Sequence, residues 1–234
     1  MRCLACHDTF FEQPVWRKLL MLESPTKLCR LCELKLVPIS GKRCVACSRS
    51  LDSLTQAFKN GDQCLDCLRW AERKDIGHLL ERNVSLYEYN AFLKELFATF
   101  KFRGDVVIAS FFAEKMARLY QKDFRGYLPV ALPLSQERLV ARGFNQSSLL
   151  MQGWAEDQDI LIRTTGEKQS KKNRKQRMRQ LHQNPFSLRE EAKIEQKNIV
   201  LVDDIYTTGT SVRLAAIVLK ENGANKIASL TVAR

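Results

Sequence analysis

All eight cysteines of this 234-residue chain lie in its first 67 positions, and the other 167 residues contain none. They fall as four Cys-x-x-Cys pairs: Cys3/Cys6, Cys29/Cys32, Cys44/Cys47 and Cys64/Cys67. Such a turn aims two sulfurs at one ion, and two turns complete the tetrahedral S4 site that zinc prefers. Sixteen residues separate Cys47 from Cys64, a zinc-ribbon spacing, and 22 separate Cys6 from Cys29, which requires a longer loop. The expectation is two zinc ions with all eight cysteines as ligands. Sequential pairing keeps the loops short and is preferred, while an interleaved pairing stays open. With eight thiolates available, His7 and His78 are not needed as ligands. Disulfides fit poorly with a reducing cytosol, expected because no apolar leader follows Met1. A thioredoxin-like site would place one pair at a strand end in a βαβ unit, not four pairs in a row. Closed S4 sites leave no position for a water or substrate, so they are read as structural. Residues 1–78 are therefore expected to form a small zinc-ribbon-like domain that metal staples hold together. The charged stretch from Glu72 to Asn83 carries the boundary, and residues 79–234 form a second domain.

That second part alternates strand and helix. Residues 84–89 alternate apolar and polar, as a half-buried strand would. Phe92, Leu93, Leu96, Phe97 and Phe100 recur at helical spacing, and Met116, Leu119 and Tyr120 mark another helix. Residues 127–133 read as a strand ended by Pro133, with one helix over about 135–155 after it. Ile199 to Val202 is a continuous apolar run, the pattern of a strand buried on both faces of a parallel sheet. Thr210 or Ser211 is expected to cap the next helix, which stops at Asn222-Gly223 before a last strand from Lys226 to Ala233. This order predicts an open α/β sheet with its ligand site at the strand carboxyl ends. A composition of 45% hydrophobic and 27% charged residues agrees with a globular chain. No apolar run reaches the length a membrane span requires, so no membrane insertion is expected.

The run Ile199-Val-Leu-Val-Asp203-Asp204-Ile-Tyr-Thr207-Thr208-Gly209-Thr210-Ser211 carries chemistry. The strand delivers two adjacent carboxylates to the sheet edge, where they repel unless a diol, a cation or a basic group relieves them. Small hydroxylated residues and a glycine then open into a helix N-terminus, whose free N–H groups and dipole suit a phosphate. Acids for sugar hydroxyls beside a phosphate cradle describe a site for a phosphorylated ribose. Walker A, Gly-x-Gly-x-x-Gly and Gly-x-Ser-x-Gly patterns are absent.

The run resembles the phosphoribosyl pyrophosphate (PRPP) signature of type I phosphoribosyltransferases. That resemblance implies a type I phosphoribosyltransferase-like parallel sheet flanked by helices. It places Asp203 and Asp204 at the ribose hydroxyls and, through water, at magnesium, and Thr207, Thr208, Gly209, Thr210 and Ser211 around the 5′-phosphate. Lys101-Phe-Arg-Gly-Asp105 and Arg142-Gly-Phe-Asn-Gln146, together with the cysteine pairs, resemble the ComF/GntX family over almost the whole chain. Lys101, Arg103, Arg138 and Arg142 are candidates to meet pyrophosphate, with the plain alternative that they are surface cations. Asn145 and Gln146 are candidates to brace that loop. The family implies uptake of single-stranded DNA during natural transformation, a ComFA-like helicase partner, and a place in the cytoplasm or at the inner membrane face through partners.

Residues 168–179 carry seven cations and no acid. Such a run suits DNA phosphates or pyrophosphate, or is simply a solvated loop, and it supplies no aromatic ladder for base stacking. Lys171, Lys172, Arg174 and Lys175 are the nucleic-acid candidates. Family resemblance also suggests Gln169 and Arg177 as members of a hood over the sugar. The net charge of +12, or about +8 once two ions sit on eight thiolates, agrees with polyanion binding without requiring it. Three readings follow: a DNA-uptake factor with a PRPP-binding domain, an active Mg-PRPP transferase of nucleobase salvage, and a zinc adaptor with a relic α/β domain. Homo-oligomerisation is left open.

Overall fold

The computed structural model describes residues 1–11, 16, 26–102, 106–164 and 184–234. Four parallel strands form the central sheet in the order β3-β8-β7-β4: β3 (Asn83–Tyr87), β4 (Leu128–Ala131), β7 (Ile199–Ile205) and β8 (Ile227–Ala233). β1 (Lys59–Asn60) pairs with β2 (Gln63–Cys64), and β5 (Leu161–Arg163) with β6 (Phe186–Leu188), both antiparallel. The α-helices with described bounds are α1 (Arg30–Glu33), α2 (Leu65–Ala71), α3 (Ala91–Phe102), α4 (Val107–Asp123), α5 (Gln136–Arg142), α6 (Gln146–Leu149) and α7 (Thr210–Glu221).

The unbroken apolar runs become the central strands because helices cover both of their faces. Val200 and Val202 of β7 face a cluster built from α3 and α4, with Phe97, Phe100, Phe112 and Met116. Ile199 and Leu201 face the opposite cluster, which α7 fills with Val212, Ala215, Ala216 and Leu219. Every residue of β8 is buried. Phe97 and Phe112 stack with their centroids 5.7 Å apart and anchor the crossing of α3 and α4.

Three sequence expectations change. β3 is buried on both faces rather than half-exposed, because the cysteine-rich segment covers its outer side. The single helix expected over 135–155 is two short ones. Gly143, at φ 78°, ends α5 in the left-handed conformation, and Asn145 Oδ1 starts α6 by accepting from the Ser147 amide. The cap of α7 is Gly209, at φ 77°, with Thr210 already the first helical residue.

The cysteine-rich segment contains the same unit twice. Cys3-Leu-Ala-Cys6 and Cys44-Val-Ala-Cys47 each make a knuckle, in which the amides of His7 and Ser48 donate to the carbonyls of Cys3 and Cys44. His7 and Ser48 share a left-handed φ, 63° and 64°. α1 follows Cys29 and α2 follows Cys64, so each unit closes on a helix that carries its last ligand. The two units lie on opposite faces of the sheet: Cys3 and Cys32 join the α3/α4 cluster, and the second four cysteines join the α7 cluster. Between them, residues 37–39 run antiparallel along β3, with the Ile39 amide donating to Leu86 O and the Glu88 amide to Val37 O. This strap occupies the edge that β3 would otherwise expose. No described helix is long and apolar enough to cross a membrane.

Candidate phosphoribosyl site and cysteine clusters

β7 ends with Asp203 and Asp204 at the carboxyl edge of the sheet. Asp203 Oδ1 accepts from Ser147 Oγ at 3.2 Å and from the Asp204 amide at 2.9 Å. Burial, then repulsion from Asp204, push the Asp203 carboxyl up to about 7. Asp204 is buried; its Oδ1 accepts from the Ile205 amide at 2.8 Å, and its Oδ2 pairs with Lys101 Nζ. Lys101, expected at pyrophosphate, therefore stands directly at the acidic pair.

Other cations gather nearby. Arg142 Nη1 donates to Gln146 Oε1 at 2.9 Å. Burial and then neighbouring Arg138 lower the pKa of Arg142, with the Asp204 charge opposing them. Arg163 is lowered by burial and Arg138 and raised by Asp203, so it belongs to the same electrostatic cluster. The sequence reading missed Arg163 and Ser147. Ser147 directly follows the Arg142–Gln146 segment and was within reach of a closer reading, whereas Arg163 comes to the site on β5, through a bridge to Ser135. Asn145 and Gln146 brace this corner as expected. Arg103, Gln169, Lys171, Lys172, Arg174, Lys175 and Arg177 lie outside the described residues.

The loop after the aspartates has a definite polarity. Arg234 Nη1 donates to Thr207 O at 2.6 Å, Trp70 Nε1 to Thr208 O at 2.7 Å, and Arg213 Nη1 to Gly209 O at 3.4 Å. In a planar trans peptide the next N–H points opposite to the carbonyl. The amides of Thr208, Gly209 and Thr210 therefore turn away from Arg234, Trp70 and Arg213 respectively. Among the described residues, no backbone carbonyl or side chain accepts from the Thr207, Thr208 or Gly209 amides. Thr208 Oγ1 bonds Thr210 Oγ1 at 2.8 Å, and the dipole of α7 adds positive potential. Arg213 is buried with no carboxylate partner among the described residues, adding a full charge beneath the loop. A Cβ on Gly209 would collide with Tyr206 Oη and Arg213 Nη1, so position and φ both require glycine. A cavity of about 410 Å³ on the module side of the loop is lined by Ser50, Ser53, Tyr89, Thr207 and Thr208. Asp203 and Asp204 are not part of that lining.

The cysteines pair sequentially. Cys3, Cys6, Cys29 and Cys32 form one cluster and Cys44, Cys47, Cys64 and Cys67 the other, with all sulfurs in each within 4.8 Å. Cys6 Sγ lies 3.8 Å from Cys29 Sγ, and Cys47 Sγ 3.6 Å from Cys64 Sγ. An ion at about 2.3 Å from four thiolates spaces them about 3.8 Å apart. The Cys29 amide points at Cys3 Sγ (3.2 Å) and the Cys64 amide at Cys44 Sγ (3.4 Å). The Cys44 thiol is lowered to about 6, chiefly by a hydrogen bond from Cys47. Each cluster fits a zinc ion.

The parallel sheet, its flanking helices and the loop at its carboxyl edge define a type I phosphoribosyltransferase fold joined to a two-cluster cysteine module. The phosphoribosyl transferase domain family matches residues 160–234. The chain is 36% identical to the competence protein ComFC of Bacillus subtilis (strain 168), over 99% of this chain and 94% of that protein. It is 29% identical to the competence protein ComFC of Streptococcus pneumoniae (strain ATCC BAA-255 / R6) over the full length of both. The DNA utilization protein YhgH of Salmonella typhi is 30% identical over 84% of this chain and 92% of its own. The chain belongs to the ComFC family.

Proposed function

We propose that this chain supports uptake of single-stranded DNA during natural transformation, and that its α/β domain binds PRPP with magnesium. One observation carries the sugar reading: the amides of Thr207, Thr208 and Gly209, with no acceptor among the described residues, stand above a buried arginine, beside a carboxylate pair flanked by Lys101, Arg142 and Arg163. Asp203 and Asp204 are assigned to the ribose hydroxyls, the amides and hydroxyls of residues 207–211 to the 5′-phosphate, and the flanking cations to the pyrophosphate. Asp203 and Asp204 would also face, through water, a magnesium ion bound with PRPP, which would supply charge neutralisation of that pyrophosphate. The two cysteine clusters are assigned to structural zinc. The competence names of the relatives carry the DNA reading, and the excess of positive charge suits it. Lys171, Lys172, Arg174 and Lys175 are proposed DNA contacts, and a ComFA-like helicase is the proposed partner.

Thermal denaturation with Mg-PRPP, with and without single-stranded DNA, tests both halves. PRPP is expected to raise the melting temperature of the wild type and not that of Asp203→Ala/Asp204→Ala. DNA affinity is expected to fall steeply with salt, and neutralising the four cations is expected to flatten that slope. A PRPP-insensitive melting curve rules out the sugar site. Unchanged DNA binding in the neutralised variant removes residues 171–175 from the DNA surface.

A further inference from the structure

The loop that would cradle the phosphate is held from outside its own fold. Cys67 and Trp70 lie three residues apart on α2, one turn of the same helix face. An ion on Cys64 and Cys67 therefore fixes the rotation of α2 and with it the position of the Trp70 indole. That indole donates to Thr208 O at 2.7 Å, and the Arg213 guanidinium lies over its ring, 4.5 Å from the centroid. Arg213 in turn donates to Tyr206 Oη at 2.7 Å. Arg234 makes a second link. Its Nη1 holds Thr207 O at 2.6 Å, and its Nη2 lies 3.7 Å from Asp66 Oδ2 on α2, beside the cluster residue Cys67.

We propose that the second cysteine cluster is a positioning element of the phosphate loop, so that metal at Cys44, Cys47, Cys64 and Cys67 and a sugar phosphate at residues 207–211 bind with positive coupling. Trp70 and Arg234 transmit it by holding the loop carbonyls back, which keeps the amides forward. The first cluster, on the other sheet face, has no such link among the described residues. The inference rests on the sugar-phosphate reading of the loop, and coupling between two ligands is reciprocal.

The zinc-loaded chain is titrated calorimetrically with ribose 5-phosphate, a probe that lacks pyrophosphate. Trp70→Phe keeps the ring and deletes one donor, and is expected to weaken binding about five- to tenfold. In a second measurement, zinc release to a chromogenic chelator is followed in the wild type. Ribose 5-phosphate is expected to slow the slower of two release phases severalfold and to leave the faster one unchanged, and Trp70→Phe is expected to lose that protection. A wild type that binds the probe while Trp70→Phe binds equally well, or while zinc release is indifferent to it, overturns the coupling. A wild type that does not bind the probe instead removes the sugar-phosphate reading, and the coupling falls with it.

Discussion

Asp203 shows how one residue's surroundings set its behaviour. Its carboxyl is raised from 3.8 to about 7, first by burial and then by Asp204. A raised folded-state pKa leaves stability intact below the unfolded value and removes it as pH climbs through the folded value. Between about pH 4 and 7, ionisation thus comes to oppose folding, and the loss is complete above 7. Asp203→Asn is therefore expected to be more stable than wild type at pH 8, by about 1–3 kcal/mol. That gap should close below about pH 4, as urea denaturation across the range would show. In the proposed sugar site the ionised carboxylate is the better acceptor for ribose hydroxyls, so the wild type would exchange stability for binding at this position. Gly209 is the other decisive residue. Gly209→Ala is expected to abolish the PRPP-induced thermal shift, because the new methyl displaces Tyr206 and Arg213 from beneath the loop.

At the scale of elements, β3 and β8 meet the second knuckle through a buried polar network around Asn83. Its Nδ2 donates to Cys47 O at 3.2 Å and to Ser85 Oγ at 2.8 Å, and its Oδ1 accepts from Ser229 Oγ at 2.8 Å. Ser48 Oγ donates to Asn83 O at 2.8 Å, and Ser85 and Thr231 share a bond of 2.7 Å. A cut in one member leaves several buried groups unsatisfied. Asn83→Ala is expected to cost about 2–4 kcal/mol in denaturant titration, more than an exposed asparagine would. The alternation of Ser85 with apolar neighbours suggested a solvent face on β3. The polar side chains instead serve this internal network, which only the packing of the knuckle reveals.

For the whole molecule, the two clusters differ in their access to solvent. Cys6 is exposed and Cys29 half-buried, whereas all four ligands of the second cluster are buried. A chelator should therefore remove metal from the first cluster before the second. Cys6→Ser is expected to lower the melting temperature modestly and keep ribose 5-phosphate binding. Cys47→Ser is expected to lose both that binding and most of the stability, since its cluster lies within the core beneath α7. Zinc content by mass spectrometry of the native protein and differential scanning calorimetry check the pair.

Local order in the chain was enough for much of this. Cysteine spacing favoured the sequential clusters that form, the run from Ile199 to Ser211 gave a buried strand with two carboxylates and a glycine-containing loop opening into a helix, and helical periodicity placed α3 and α4. These features are encoded by neighbours within a few residues, where spacing and backbone geometry leave little choice. Short caps were the local features passed over: Gly143 and Asn145 split a helix that periodicity alone runs together. What only the tertiary structure decided are the contacts between distant segments. Trp70 meets Thr208 across 138 residues of sequence, Arg234 reaches both Thr207 and Asp66, and Arg163 joins the aspartates on a strand with no motif of its own. Each depends on which faces of the sheet the two cysteine units come to cover. That choice is made by burial summed over the whole core, and no stretch of neighbouring residues contains it.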